Sequence, residues 1–218
     1  GGTAQASLAR LPAAWLSALS GSALRAEGDL GGELDLRIDA AGTVLGEGRL
    51  RASPGRLVLP GLDEDEPDEL LVGWTGVDAT VVLGPDRSAV DLAAELQPAG
   101  RIEARASASG EDDVLEGTVD LLLPDLSLLA VLVPDLEQPD GRAEGRLTLS
   151  GTLAAPRVDG ELAVSAFSAE VPALGLRVSE GSARVASGDD GRFRVEARAG
   201  TGGSGTLAVD GWVGLPAE

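Results

Sequence analysis

The residues best equipped for chemistry in this chain are carboxylates: 36 Asp and Glu stand against 17 basic residues, every one an arginine. Paired carboxylates do general acid–base work, and clustered ones hold hard cations such as calcium. The densest cluster, "DEDEPDE" at Asp63–Glu69, lacks the D-x-D-x-D-G loop and is broken by Pro67, so a solvated loop is expected there. Asp35, Asp39, Glu95, Glu103, Glu116, Asp120 and Glu196 fall on polar faces of alternating segments amid arginines. Cross-strand charge pairing and solubility are their expected roles. The chain has no His, Cys or Lys, so it offers no histidine base and no thiolate or amine nucleophile. Its serines sit mostly in turns, without a G-x-S-x-G elbow. No enzyme, cofactor or metal site is expected.

Two further patterns invite a chemical reading and fail it. "GTGGSG" at Gly200–Gly205 matches G-x-G-x-x-G, but a dinucleotide site needs a helix after it, and Thr206–Val213 alternates like a strand. A hairpin turn is the expectation. Trp15, Trp74 and Trp212 are too scattered for a sugar-stacking platform and are expected to anchor element ends.

The elements that carry these residues are short strands. Apolar side chains recur at every second position, as in Leu34–Leu36–Ile38 and Val90–Leu92–Ala94–Leu96, with polar residues between them. Turn signals such as "SPG", "LGPDRS" and "SGDDG" separate the runs, which is the habit of an all-β, mainly antiparallel chain. Leu11–Leu19 and Pro124–Val133 break the pattern, with Leu and Val at helical spacing and Pro near the start. Two short helices are expected there, capping an open end of the sheet.

These helices open two copies of one pattern. Leu11–Gly61 aligns with Leu123–Gly175, "LPAAWLSAL" answering "LPDLSLLAVL" and "EGDLGGELDL" answering "DGRAEGRLTL". The expected organisation is an array of two β modules, 1–110 and 111–218, in one continuous sheet. The alternating faces could close on each other as a β-sandwich or line an open trough. Composition favours the trough: aromatics are 2%, and inward positions 94, 104, 106, 108, 197 and 199 are all Ala. Such small residues fill poorly a layer of about 10 Å between packed sheets.

A net charge of −19 excludes nucleic acid as a partner and argues against docking on an anionic leaflet. No stretch approaches the roughly 18 apolar residues of a spanning helix. Without an initiator Met or a signal-like start, the chain is expected to be a segment of a longer protein whose membrane anchor lies elsewhere.

The second copy also carries a recognisable motif. In Asp140–Val185 the pattern G-x-L-x-x-x-G-T-L-x-x-P-x-x-x-G-x-L maps onto Gly145, Leu147, Gly151, Thr152, Leu153, Pro156, Gly160 and Leu162, followed by Pro172 and Gly175. "SGTL" at Ser204–Leu207 also fits, while the first copy keeps Gly42, Thr43 and Val44 and lacks the proline. The chain thereby resembles the TamB family of AsmA-like bacterial envelope proteins. That resemblance implies a periplasmic β-taco with an apolar interior, part of an inner-membrane-anchored protein reaching toward the outer membrane. It implies phospholipid movement between the membranes as the function and a TamA-like outer-membrane barrel as a partner. The alternative it carries is a scaffold for outer-membrane protein assembly, including autotransporters.

The side chains expected to line a groove for phospholipid acyl chains are those of the alternating apolar faces. They are Leu34, Leu36, Ile38, Leu57, Leu59, Val77, Val81, Leu83, Val90, Leu92, Leu96, Ile102, Val119 and Leu121 in the first part of the chain. Leu147, Leu149, Leu162, Val164, Phe167, Val171, Leu176, Val178, Val185, Phe193, Val195, Leu207 and Val209 continue the set. Some ten strands side by side run on the order of 45 Å, one length of a periplasm-wide path.

Overall fold

The fold is that of a computed structural model. It describes residues 2–12, 25–59, 69–97, 99–110, 112–127, 129–133, 135–188, 192–202 and 205–214. Fourteen strands form one antiparallel sheet that does not close on itself. They are β1 (Gly2–Pro12), β2 (Arg25–Glu27), β3 (Asp29–Ile38), β4 (Val44–Ala52), β5 (Gly55–Leu59), β6 (Glu69–Leu83) and β7 (Arg87–Gln97). Then follow β8 (Gly100–Ser109), β9 (Val114–Leu123), β10 (Glu137–Gly151), β11 (Pro156–Val171), β12 (Leu176–Ser187), β13 (Arg192–Thr201) and β14 (Gly205–Gly214). One helical turn, α1 (Leu129–Leu132), precedes β10, and a 3₁₀ turn spans Pro172–Leu174.

The sheet is a meander, since the chain order β1-β3-β4-β6 and then β6 through β14 is also the order in space. β2 and β5 prolong β3 and β4 and pair with each other, and β5 pairs in turn with the first half of β6. Twelve rows result, so the sheet extends about 53 Å across its strands at about 4.8 Å per spacing.

The expected sandwich alternative is overturned, because no second sheet covers the apolar face among the described residues. The buried hydrophobic residues are few and mostly small, among them Ala26, Leu30, Ala94 and Ala143. The accessible surface is 14283 Å², where a compact monomer of 21.9 kDa would show on the order of 9,300 Å².

The repeat in the sequence reappears as a repeated bend. In the first copy three neighbouring rows lose regular pairing side by side: at Gly28 between β2 and β3, at Ser53–Pro54 between β4 and β5, and at Thr75 in β6. In the second copy the same happens near Gly141 in β10, Ala166 in β11 and Glu180 in β12. Irregularities of this kind bend a strand and increase its twist, so each row of three makes a crease. Gly28 (φ 125) and Gly141 (φ 136) are equivalent in the alignment and take backbone angles that suit glycine. Ser53 stitches the first crease, its amide donating to Asp29 O at 2.9 Å and its Oγ accepting from the Asp29 amide at 3.0 Å. The Trp74 indole N–H adds a bond to Ser53 O at 2.8 Å.

The expected helices fare differently. Leu11 and Pro12 are the end of β1, paired with Leu30 and Asp29, so helix does not start there; residues 13–24 lie outside the described set. The second helix is a single turn, and its segment is tied to β6, where Ser127 Oγ reaches Leu71 O at 2.9 Å. Leu174 belongs to the 3₁₀ turn. The acidic run at 63–68 also lies outside the described residues.

Candidate functional site

Register decides what each face of the sheet presents. Directly opposed residues share a face, and the pairs join the alternating apolar positions into rows that cross the strands. One row runs Leu30, Ala52, Val77, Ala94, Ile102, Leu121, Gly145, Leu162, Val185, Val195 and Gly211. A second runs Leu34, Gly48, Val81, Val90, Ala106, Gly117, Leu149 and Val158. All the groove-lining positions named from the sequence fall on this one face by register or by alternation within their strand. Leu57 and Leu59 join it through the pairing of Leu57 with Ala26 and Val72. Phe167, Val171, Leu176 and Val178 lie beyond the second crease.

The face is open. Leu34 is 43% exposed, Val90 45% and Val209 46%, values that a covered core would not allow. Large and small residues oppose each other along it: Leu34 faces Gly48, Leu50 faces Gly32, Leu121 faces Gly145, Leu147 faces Gly160 and Phe167 faces Gly181. Each leucine thus lies over bare backbone, and the face stays shallow. Sequence reasoning weighed the inward alanines and missed these glycines. Their signal was the G-x-L spacing itself, which becomes informative once the register is known.

The polar face carries the charges. Arg51 meets Asp78 at 3.0 Å, Arg56 meets Glu27 at 2.6 Å, Arg105 meets Asp91 at 3.4 Å and Arg184 meets Glu161 at 2.7 Å, all across strands. Asp120 pairs with Arg146, and Glu196 with Arg194, which also holds Asp210 at 2.9 Å. Hydrogen bonding to Arg56 holds the Glu27 carboxyl below its usual range, and bonding to Glu161 raises Arg184 further. These are exposed pairs, so solvent and salt screen them and each adds little to stability. They keep the outer surface soluble while the inner one stays apolar.

No grouping of acidic side chains suited to a metal ion occurs among the described residues. Thr201 faces Gly205 across a hairpin, and the segment after it is the strand β14 rather than the helix a dinucleotide site needs. Trp74 lies at the first crease and Trp212 is 53% exposed on β14, so these two make no platform; Trp15 is outside the described residues.

The second copy carries an almost wholly apolar hollow on this face. It has a volume of about 450 Å³ and draws side chains from every strand between β9 and β14, including Leu121, Leu162, Phe167, Ala197 and Leu207. Leu126 and Leu129, from the segment around α1, also line it. No helix of the described residues is long and apolar enough to cross a membrane.

Comparison with known proteins agrees with this architecture on one count and is silent on two. No curated protein and no solved structure matches the chain. The family described as TamB, N-terminal domain, matches residues 1–164, three quarters of the chain. The match ends within β11, although the hydrogen-bonded sheet and its apolar face run on through β14. A single open sheet with one continuous apolar face, matched over most of its length by that domain, places this chain in the TamB family.

Proposed function

We propose that the apolar face is a conduit for phospholipid acyl chains and that the chain is one length of an envelope-spanning path between inner and outer membranes. The observation that supports this most is an apolar surface continuous over eleven rows, from β3 to β14, and left uncovered among the described residues. Family membership supports it too: the TamB family is an envelope-associated transport and assembly family rather than an enzyme family. An acyl chain gains about 0.8 kcal/mol for each CH₂ withdrawn from water. Because the lining is similar from row to row, that gain is nearly the same wherever the chain lies. A surface without deep minima along its length lets a tail slide, while the head group stays in water at the rim. No residue has to make or break a bond.

Charging the lining tests the reading. Val81→Asp, Leu92→Asp or Val195→Asp places a carboxylate on the apolar face, opposite Val90, Ala79 or Val185 respectively. Each position is only partly buried, so the sheet is expected to fold and lipid transfer between donor and acceptor vesicles to fall. Full transfer by folded variants refutes the conduit.

One observation favours a second reading, a scaffold for outer-membrane proteins working with a TamA-like barrel. β1 and β14 each have one neighbour among the described residues, and a free edge can accept a client strand. Photocrosslinking groups in β14 would then capture unfolded outer-membrane strands, while the same groups at Leu92 or Val195 would not capture lipid.

A further inference from the structure

We propose that β14 carries a docking edge for strand β1 of a second copy of this chain, so that copies join head to tail through one more antiparallel ladder. Such joining concerns the edges of the sheet and does not depend on what the apolar face carries.

The internal repeat supplies the template. The ladder of β13 and β14 repeats that of β7 and β8 pair for pair. Arg192 opposite Gly214 through Thr201 opposite Gly205 answers Arg87 opposite Ser109 through Leu96 opposite Gly100, without a register shift in either. At the other end of the sheet, β1 on β3 repeats β9 on β10. Leu8 stands opposite Gly32 and Ala6 opposite Leu34, as Leu121 stands opposite Gly145 and Val119 opposite Leu147. Thus β14 is the equivalent of β8, and β1 is the equivalent of β9. Within the sheet β8 and β9 are neighbours, paired without interruption from Arg101 opposite Leu122 to Ser109 opposite Val114. The two outermost strands are the two sides of a ladder that the sheet already contains.

β14 is also made like an interior strand. Natural edges are guarded by short strands, bulges, proline or charge. β14 is 10 residues long, runs beside β13 without a bulge, and holds no proline, no basic residue and one acid, Asp210. Its Leu207, Val209 and Val213 are exposed. On β1 the register shift lies between Leu8 and Leu11, so Gly2–Leu8 forms an unbroken ladder. Direction fits as well. With twelve rows, each antiparallel to the next, β1 and β14 run in opposite senses, so a copy set alongside in the same sense pairs antiparallel. Carried over to the edges, the β8–β9 register sets Leu207 opposite Leu8, Ala208 opposite Ser7, Asp210 opposite Gln5 and Trp212 opposite Thr3. No like charges oppose each other there. A head-to-tail contact builds a ring if its rotation closes and an open row of copies if it does not. One ladder is a small interface, so the association is weak and depends on concentration.

Disulfide trapping tests the register, since the chain has no cysteine of its own. Ser7→Cys chains are mixed with Ala208→Cys chains, and Thr3→Cys chains with Trp212→Cys chains, circular dichroism confirming that each variant folds. All four positions are exposed. Directly opposed residues lie about 4.5–5.5 Å apart at Cα, within disulfide range, so both matched mixtures should give a linked dimer on oxidation. The crossed mixtures, Ser7→Cys with Trp212→Cys and Thr3→Cys with Ala208→Cys, hold the thiols roughly 14 Å apart along the strands and should not link. In sedimentation velocity the unsubstituted chain should form species larger than the monomer as concentration rises. Val209→Lys, which places an inward-pointing lysine on the edge strand, should abolish them. An unsubstituted chain that is monomeric at every concentration, larger species that persist in Val209→Lys, or no linked dimer in the matched mixtures overturns the docking edge. So does equal linking in matched and crossed mixtures, or linking of Ala208→Cys chains to one another. Each of these results leaves the conduit reading standing.

Discussion

Replacing Gly160 by alanine is the sharpest test of how closely the strands approach on the apolar face. Gly160 has φ 136, and a Cβ built there would collide with the Arg146 carbonyl oxygen and lie 2.9 Å from Leu147 Cα, both backbone atoms of β10. The backbone conformation alone costs a non-glycine residue about 1–3 kcal/mol. Pushing the two strands apart to admit the methyl adds about 1–3 kcal/mol more. A total near 4 kcal/mol lowers the melting temperature by about 8–16 °C for a domain of this size. Gly211 is the control, because nothing lies within 4 Å of its Cβ position and its φ is not positive. Gly211→Ala should raise stability by about 0.4–1 kcal/mol by restricting the unfolded chain. The assay is thermal unfolding by circular dichroism together with hydrogen exchange of β10 and β11. Equal melting of the two variants, with unchanged exchange in β10–β11, refutes the close approach and with it the leucine-over-glycine arrangement.

Other outcomes follow from the same geometry. Arg194→Ala removes a contact to Glu196 within β13 and a cross-strand contact to Asp210 on β14, both on an exposed face; denaturant titration should show at most a slight loss of stability that shrinks further in high salt. Trp74→Phe deletes the indole bond to Ser53 O at the first crease and should cost about 0.5–1.5 kcal/mol, measured by chemical unfolding. The Glu27 carboxyl is depressed by Arg56, so its contribution is present above the unfolded value of about 4.3 and is lost as pH falls through the lower folded value. Hydrogen exchange of β2 and β5 should therefore quicken in that acidic window, and Glu27→Gln should abolish the change.

Much of the fold was legible because alternation is a property of the extended backbone. Leu147 and Leu149 share a face whatever lies beside them, and Glu144, Arg146 and Thr148 take the other. The apolar positions named from local sequence share one face once the strands pair, and of the carboxylates expected to pair across strands Asp120 does so with Arg146, while Glu103 and Glu196 meet arginines of their own strands. Helical spacing was a weaker guide. In Pro124–Val133 it marked a segment with Leu on one side, yet only one turn is helical. The leucines there are held by the sheet beneath them rather than by a helix of their own.

What the sequence by itself determined is the strand pattern, the apolar side of each strand, the twofold repeat and a side-chain repertoire without His, Cys or Lys. Only the tertiary structure decided that this side stays uncovered, since the same alternation serves a sandwich and a trough equally. It also decided which leucine lies over which glycine, because a shift of one residue in register would reverse the facing of every pair. Finally, it aligned Gly28 with Pro54 and Thr75, and Gly141 with Ala166 and Glu180, into creases. These residues are far apart in the chain, and their bends add together only where long-range pairing sets them side by side.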